Sequence, residues 1–189
     1  KLDYFLNENI FKIEKKLKNF VKKIFLIIDS DEFFPIEISV KKNDYENIIN
    51  SKSLIPLLHK AKDCCKKTID DKKIIHMIVN KYQIDNKDYF LLPEGVSCNS
   101  FSLDIKFICI SNNLIKNLEE VLKKYQVSLG HVVSAKYIEN FLTNDQNDEL
   151  GIFWMTKKII GGHNPNEVKL IKKTQRNQGF FEKFFNFFN

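Results

Sequence analysis

The sequence predicts an α+β fold, in which a small sheet with a strand–helix–strand–strand–helix core is flanked by further helices. The observations behind this prediction lie in residues 72–125. Residues 72–85 are apolar and β-branched with partial alternation, and residues 101–110 alternate apolar and polar positions before a fully apolar end. Both patterns are typical of strands, because successive side chains of a strand point to opposite faces. A turn-rich connection with Pro93 and Gly95 separates the two.

A helix is predicted to follow the second strand. Either Asn112 or Asn113 is the expected N-cap, since a short polar side chain can accept hydrogen bonds from the first turn. The apolar positions recur at helical spacing and are Leu114, Ile115, Leu118, Val121, Leu122 and Tyr125. The centre of the chain therefore has the order strand, long connection, strand, helix.

Upstream of this centre, residues 1–23 are predicted to form a basic amphipathic helix packed on a sheet. Its apolar positions are Ile13, Leu17, Phe20, Val21 and Ile24. Residues 24–28 are fully apolar and are predicted to form a strand, buried on both faces if it lies at the centre of a sheet. Residues 29–35 are predicted to form a turn.

A strand with one solvent-facing side comes next, because Ile36, Ile38 and Val40 alternate with polar residues. Residues 43–67 are predicted to be mainly helical. Pro56 should kink or restart this helix, since proline cannot donate a hydrogen bond to the preceding turn. The apolar face of the helix is predicted to consist of Leu54, Leu57, Leu58 and Ala61.

After the central stretch, Val127 and Leu129 are predicted to start a further short strand, and residues 131–142 a helix. The expected apolar side of that helix is Val133, Tyr137, Ile138, Phe141 and Leu142. Residues 143–149 are polar and acidic, which indicates a loop. Residues 161–179 are polar, basic and poor in apolar residues, and this composition predicts a flexible tether.

The last ten residues, 180–189, are predicted to form an amphipathic helix on that tether. At about 100° per residue, the six phenylalanines fall within an arc of about 160°. An aromatic face beside basic residues suits a membrane interface, whereas the alternative is a helix packed on its own domain. The predicted membrane-binding residues are Phe180, Phe181, Lys183, Phe184, Phe185, Phe187, Phe188 and Arg176.

The formal charge of +6 favours an anionic partner, either nucleic acid or an anionic membrane surface, although a solvated lysine-rich surface explains it equally well. The four cysteines have no Cys-x-x-Cys spacing and are interpreted as reduced thiols of a cytosolic protein. No apolar run approaches the roughly 18 residues that a membrane-spanning helix needs. The chain begins with Lys1 and not with Met, which is consistent with a piece of a longer protein.

No catalytic, cofactor-binding or metal-binding residues are predicted. The sequence has no phosphate-binding loop and no Ser/His/Asp or Cys/His array at a known spacing. His59 and His76 are interpreted as ordinary packed or surface histidines. Cys64 and Cys65 lack further partners at metal-ligand spacing. We therefore expect no enzyme.

Nucleic-acid binding is the alternative that the residues themselves suggest. A small sheet bearing Tyr82, Phe101 and Phe107, in a chain of positive net charge, has the elements of a platform on which bases stack. The signature motif of ribonucleoprotein domains is absent, and the lysines are spread along the chain. We therefore expect no nucleic-acid partner.

A set of spaced residues runs through the central stretch: His76, Ile78, Tyr82, Ile84 and Asp85, then Pro93 and Gly95. The set resembles the inserted strand–helix–strand–strand (SHS2) subdomain of FtsA, a family of actin-like bacterial cell-division proteins. The family pattern is His-x-Ile-Pro-x-x-Tyr-x-Ile-Asp, followed by Pro-x-Gly-x-x-Gly. Val79 stands where the family has proline, and Cys98 where it has the second glycine. The similarity extends over residues 24–151.

The resemblance implies an FtsA-like domain at 1–151 with the inserted subdomain at about 33–125, a remnant and linker at 152–179, and a membrane-targeting helix at 180–189. It implies a truncated, membrane-associated cell-division adaptor on the cytoplasmic face of the bacterial inner membrane. Its expected partners are other cell-division proteins, a second copy of itself and anionic lipid. The family's two phosphate-binding loops are missing, so no ATP is expected. The alternatives are a basic α+β protein that binds nucleic acid, and a decayed remnant without activity.

Overall fold

The computed structural model describes residues 1–43, 48–142 and 149–169. Within these residues the chain forms five helices and six strands. In chain order they are α1 (Leu2–Leu17), β1 (Lys23–Ile28), β2 (Phe34–Asn43), α2 (Ser51–Thr68), β3 (Lys72–Ile84), β4 (Lys87–Tyr89), β5 (Ser100–Ser111), α3 (Asn112–Lys124), β6 (Ser128–Ser134), α4 (Ala135–Glu139) and α5 (Glu149–Gly161). The α+β class is confirmed. The helix predicted at 180–189 lies outside the described residues.

The main sheet has four antiparallel strands in the order β2-β5-β3-β4. The elements β2, α2, β3 and β5 reproduce the predicted strand–helix–strand–strand order. Strand β4 was not predicted and lies in the connection between β3 and β5. It arises because Asp85 and Asn86, at φ 44° and 67°, close a two-residue turn that pairs Ile84 with Lys87. Positive φ at both turn residues matches the twist of a hairpin.

Helix α2 covers one face of this sheet, and the side chains between them form the main core. The helix contributes Leu54, Leu57, Ala61 and Cys65, and the strands contribute Met77, Val79, Tyr82, Ile84, Phe101, Leu103, Ile105, Phe107 and Cys109. Burial of this much apolar surface is the main stabilising contribution. The predicted apolar face of α2 is confirmed, because Leu58 also packs against this core.

The predicted start of α2 at residue 43 is wrong. Ile48 pairs with Ser97 in an isolated β-bridge, and the helix begins at Ser51. Its N-cap is Asn50, whose side-chain oxygen accepts from the backbone N–H groups of Lys52 and Ser53 at 2.9 and 3.2 Å. Such a cap satisfies donors of the first turn that have no partner within the helix. Pro56 lies inside α2, which continues to Thr68.

The second sheet has two parallel strands, β1 and β6. The strand predicted at residues 24–28 is confirmed as β1, which is only partly buried because it lies in a two-stranded sheet and not at the centre of a larger one. Strand β6 ends at Ser134, so the helix predicted from residue 131 is wrong over its first four residues. Helix α4 begins at Ala135 and ends at Glu139. The face of the main sheet opposite α2 packs against β6, α4 and α5. In this contact Ile78 of β3 meets Val133, Tyr137, Ile138, Met155 and Ile159.

Helix α1 is shorter than predicted, and its predicted apolar positions are only partly confirmed, because Val21 and Ile24, which follow the helix, pack in the same cluster as Leu6. The helix ends at Leu17, and its C-cap residue Lys18 has the left-handed φ of 52°. Leu6 is its buried residue and packs with Leu122 of α3 and with Val127. The predicted contact residues Leu17 and Phe20 are 61% and 76% exposed. Helix α3 also differs, because it starts at Asn112 after Ser111 and has no side-chain cap.

Candidate functional site

The C-terminal strap, defined here as residues 163–169, adds to the edge of β3 beside β4. The backbone N–H of Val79 donates to the Asn166 carbonyl at 2.9 Å, and the N–H of Val168 donates to the Met77 carbonyl at 2.8 Å. Ile78 and Glu167 form the antiparallel bridge between them. The tether predicted from residue 161 is therefore wrong over the strap, because these residues are bonded to the main sheet.

A nearly buried group of polar side chains fastens the strap. One carboxylate oxygen of Glu167 lies 2.7 Å from Nδ1 of His76, and the other accepts from the Tyr137 hydroxyl at 2.9 Å. The Tyr137 hydroxyl accepts in turn from Nδ2 of Asn164 at 2.9 Å. Burial raises the pKa of Tyr137 well above its usual value, so its hydroxyl remains a donor. The strap is thus joined to β3 and α4 at once.

His76 has both ring nitrogens engaged. The backbone N–H of Ser134 donates to Nε2 at 3.1 Å, so Nε2 is an acceptor and the proton lies on Nδ1, facing Glu167. The side chain is 4% exposed. Both ring nitrogens are therefore used within the protein, and His76 connects β3 to β6 and to the strap. The predicted positions of His59 on a helix and His76 in a strand are confirmed, and His59 is exposed whereas His76 is buried.

Asn166 fastens the strap to the hairpin end of the sheet. The Tyr82 hydroxyl donates to Oδ1 of Asn166 at 3.2 Å, and Nδ2 of Asn166 donates to the Phe90 carbonyl at 2.7 Å. Burial raises the pKa of Tyr82 above its usual value. Sequence reasoning missed Asn164, Asn166 and Glu167, because they stand in a polar segment without apolar periodicity.

Strand β2 forms the outer edge of the main sheet, opposite the edge that β4 and the strap cover. It pairs with β5 over ten positions, from Phe34 with Cys109 to Asn43 with Ser100. An outer strand presents backbone N–H and C=O groups along its second side, which another strand can pair with. Pro35, near the start of β2, is the kind of residue that sheets tolerate at an edge.

The solvent-facing part of the main sheet carries paired charges. The Ser39 hydroxyl donates to Asp104 at 2.6 Å, and Nζ of Lys81 lies 3.2 Å from carboxylate oxygens of both Asp104 and Asp88. The hydrogen bond to Asp88 and that to Asp104 raise the pKa of Lys81. Lys81, Asp88 and Asp104 are thus paired with one another on this polar face.

The aromatic platform considered for nucleic acid is not available. Tyr82, Phe101 and Phe107 are 3%, 0% and 0% exposed and lie in the core beneath α2. Bases stack on aromatic faces that solvent can reach. The hypothesis that these three residues form a stacking surface is therefore wrong.

The cysteines are free thiols, of which Cys64 is exposed and the other three are buried. Burial raises the pKa of Cys109 to about 12, which keeps this thiol protonated, whereas a metal ligand must be a thiolate. In the three described ranges, no group of three or more histidine, cysteine, aspartate or glutamate side chains is placed to hold a metal ion.

Asp85 lies in the turn of the β3–β4 hairpin and bonds to the start of β5. Its Oδ1 accepts from the backbone N–H groups of Ser100 and Asn99 at 2.8 and 3.1 Å. The Ser100 N–H makes the largest contribution and lowers the pKa of this carboxyl below its usual value. Burial opposes this shift, and the Asn99 N–H and the Ser100 hydroxyl lower the pKa further. Asp85 is one of the residues that carry the family resemblance, and here it joins the start of β5 to the turn.

In the Asp85→Asn variant, the free energy of unfolding should fall less steeply with decreasing pH than in the wild type. Because the folded pKa is lowered, the Asp85 carboxylate stabilises the fold above its unfolded pKa of about 4, and this contribution is lost as the pH falls through the folded value. Asparagine tolerates the positive φ of the turn. Urea unfolding between pH 2 and 6 should show a smaller slope for Asp85→Asn than for the wild type or for Asp70→Asn, an exposed control. Equal slopes for the three proteins would contradict this assignment.

The predicted membrane-binding residues from Arg176 to Phe188 lie outside the described residues. Among the helices that the structure describes, none combines the length and the hydropathy needed to cross a membrane. The chain matches no protein-family model and no curated protein.

Proposed function

We propose that the protein is a membrane-associated adaptor of bacterial cell division that resembles a truncated FtsA. It contacts other division proteins, and a second copy of itself, through the strand–helix–strand–strand unit of β2, α2, β3 and β5. Residues 180–189 hold it at the cytoplasmic face of the inner membrane. The observation that carries the proposal is the ten-residue outer strand β2 on a well-packed domain.

The two sides of β2 define the kind of partner segment that fits. Glu37, Ser39 and Lys41 continue the polar face of the sheet, and Ile36 and Ile38 pack against the core beneath α2. A partner strand with alternating apolar and polar residues would extend both layers at once. Strand addition of this kind takes its affinity from backbone hydrogen bonds and its specificity from the alternate side chains.

The quality of the interior supports a maintained protein over a decayed remnant. A sequence that drifts without selection should accumulate buried polar groups without partners. Each such group destabilises the fold, and selection no longer removes it once the function is lost. In the described ranges, Thr156 Oγ1 is the one buried side-chain nitrogen or oxygen without a hydrogen-bond partner. The nucleic-acid alternative is less favoured, because the three aromatic residues considered for base stacking are buried in the core beneath α2.

Of the two variants Glu37→Pro and Ile38→Pro, one should weaken partner binding and keep its fold. Consecutive N–H groups of a strand point to opposite edges, so one proline removes an outward N–H and the other removes a bond to β5. Thermal unfolding identifies the outward variant as the one with the more nearly native Tm.

Sedimentation velocity of the full chain measures self-association, and capture by purified membrane-bound division proteins measures the other partners. The outward proline variant should bind at least about tenfold more weakly than the wild type, as expected when an added strand loses a hydrogen bond and meets a proline ring. Undiminished binding by that variant would exclude the β2 edge as the contact. Absence of both self-association and capture for the wild type would remove the support for an adaptor.

A further inference from the structure

A cavity of about 450 Å³ lies where the β1–β6 sheet, the first half of β3, α5 and the strap meet. Part of its wall is apolar and consists of Ile74, Leu129, Val133, Ile159, Ile160 and Val168. Lys23, Lys73 and Lys169 also line it. The volume suits a small organic ligand. Neither the resemblance nor the proposed function assigns a ligand to this cavity.

Lys23 reaches the cavity because residue 130 is a glycine. A Cβ placed on Gly130 would lie 2.5 Å from Cε of Lys23 and 3.0 Å from the Ile24 carbonyl oxygen, so the Lys23 side chain would have to move. The side chain of Lys23 therefore lies across the backbone of β6. Gly130 stands where the register of β1 and β6 shifts, between the pairs of Ile24 with Leu129 and Phe25 with His131. The glycine and the irregularity together make room for one lysine.

Lys169 is folded back onto the end of α5 in the same region. Its Nζ donates to the Gly161 carbonyl at 3.3 Å, and a Cβ on Gly162 would lie 3.1 Å from that nitrogen. Gly162 has a φ of 97°, a value that glycine adopts without strain. The carbonyl groups at a helix C-terminus favour a cation. The position of the Lys169 ammonium is therefore supported by the backbone.

The carboxylates of the cavity are already occupied. Glu119 pairs with Lys73 at 3.4 Å, and Glu167 is bound to His76 and Tyr137. Neither Lys23 nor Lys169 forms an ion pair with a carboxylate of the described residues. The two lysines thus leave the cavity with uncompensated positive charge beside an apolar wall.

We propose that this cavity binds a phosphate-bearing anion, held by the ammonium groups of Lys23 and Lys169. The apolar wall accommodates the organic group that carries the phosphate. Two sources share this chemistry: the headgroup of an anionic phospholipid, and a soluble phosphate or phosphate ester. The proposal that the cavity binds phosphate does not depend on the proposed function. The proposal that the phosphate belongs to a lipid does rest on the proposed membrane association, because Lys169 directly precedes residues 170–189.

The binding is tested on the full chain with inorganic phosphate as the probe, followed by ³¹P NMR. Lys23→Gln and Lys169→Gln should each weaken binding roughly tenfold, as expected for the loss of one charge-assisted contact. Gly130→Ala should weaken it similarly without a change of charge, because the new Cβ displaces the Lys23 side chain. Lys87→Gln, an equal charge change on exposed β4, is the matched control and should bind as the wild type does.

Flotation with phosphatidylglycerol vesicles then distinguishes the two sources. If Gly130→Ala and Lys23→Gln reduce flotation more than Lys87→Gln does, and free phosphate competes, the ligand is a lipid headgroup. If these variants lose phosphate binding but float as the wild type does, the ligand is soluble. Failure of the wild type to float would contradict the membrane proposal and leave the phosphate titration as the test of the cavity. Wild-type phosphate binding no stronger than that of Lys23→Gln would overturn the cavity proposal.

Discussion

Phe184→Glu should move the protein from the floating fraction to the bottom of the gradient in flotation with anionic vesicles. In the helix predicted for residues 180–189, Phe184 lies in the middle of the aromatic face, where a carboxylate would enter the interface. Phe185→Glu should act in the same way. We expect near-complete loss of flotation, because the net free energy with which this segment binds the membrane is small.

The balance follows from three contributions. Full burial of one phenylalanine stabilises binding by about 1.5–3 kcal/mol, and burial at an interface is partial. Ordering the backbone costs about 1–2 kcal/mol per residue, and a helix of this length does not form alone in water. Five basic residues less one acidic residue between Lys169 and Lys183 leave a formal charge of +4. Each basic residue near an anionic surface contributes on the order of 1 kcal/mol. A monomer should therefore bind weakly, and self-association should strengthen its attachment.

Asn186→Glu is the matched control for this prediction. It introduces the same charge on the polar face of the predicted helix, so it should weaken flotation only through the lost net charge. Salt should weaken wild-type flotation, since exposed charges are screened. Flotation of Phe184→Glu at the level of Asn186→Glu, or wild-type flotation that does not respond to salt, would show that residues 180–189 do not anchor the protein.

Local periodicity accounts for the parts of the fold that the sequence predicts well. Ile36, Ile38 and Val40 alternate because one face of β2 meets the core beneath α2. The apolar face of α2 recurs at helical spacing for the same reason. In both cases the burial that orders the segment is visible within a few residues of sequence.

The errors occur where ordering comes from distant residues. Val132 and Val133 belong to β6 because they pair with Leu26 and Ile27 of β1, more than a hundred residues earlier. Their spacing to the apolar residues of α4 imitates a helix, and tertiary pairing overrides it. The strap is polar and has no period, so nothing local indicates that Glu167 meets His76. Of the candidate site, the sequence therefore predicts only His76, and only as an ordinary packed or surface histidine.

Glu167→Ala should release the strap from β3 and destabilise the protein. The substitution leaves the Nδ1–H of His76 and the hydroxyl of Tyr137 without their acceptor. Each buried donor that loses its partner costs about 1–3 kcal/mol. The strap pairs with β3 over few residues, so the loss should appear first as local opening. Hydrogen exchange is the measurement, and the amides of Val79 and Val168 should exchange at least about tenfold faster, since 1.4 kcal/mol corresponds to a factor of ten.

Two further variants separate this effect from a general loss of stability. Glu167→Gln keeps one acceptor oxygen and should give an intermediate acceleration at the same two amides. Glu119→Ala removes a carboxylate that is 41% exposed and paired with Lys73, so it should leave both amides protected. If Glu167→Ala accelerated exchange equally at Val79 and in the β2–β5 ladder, opening would be global, and the polar group would be part of the core instead of a latch for the strap. Acceleration confined to Val79 and Val168 requires that the strap can leave β3 while the main sheet stays folded. This outcome is expected because the ladder with β5 and the buried residues of the core beneath α2 lie outside the strap, which adds only the partly buried Val168 to that core.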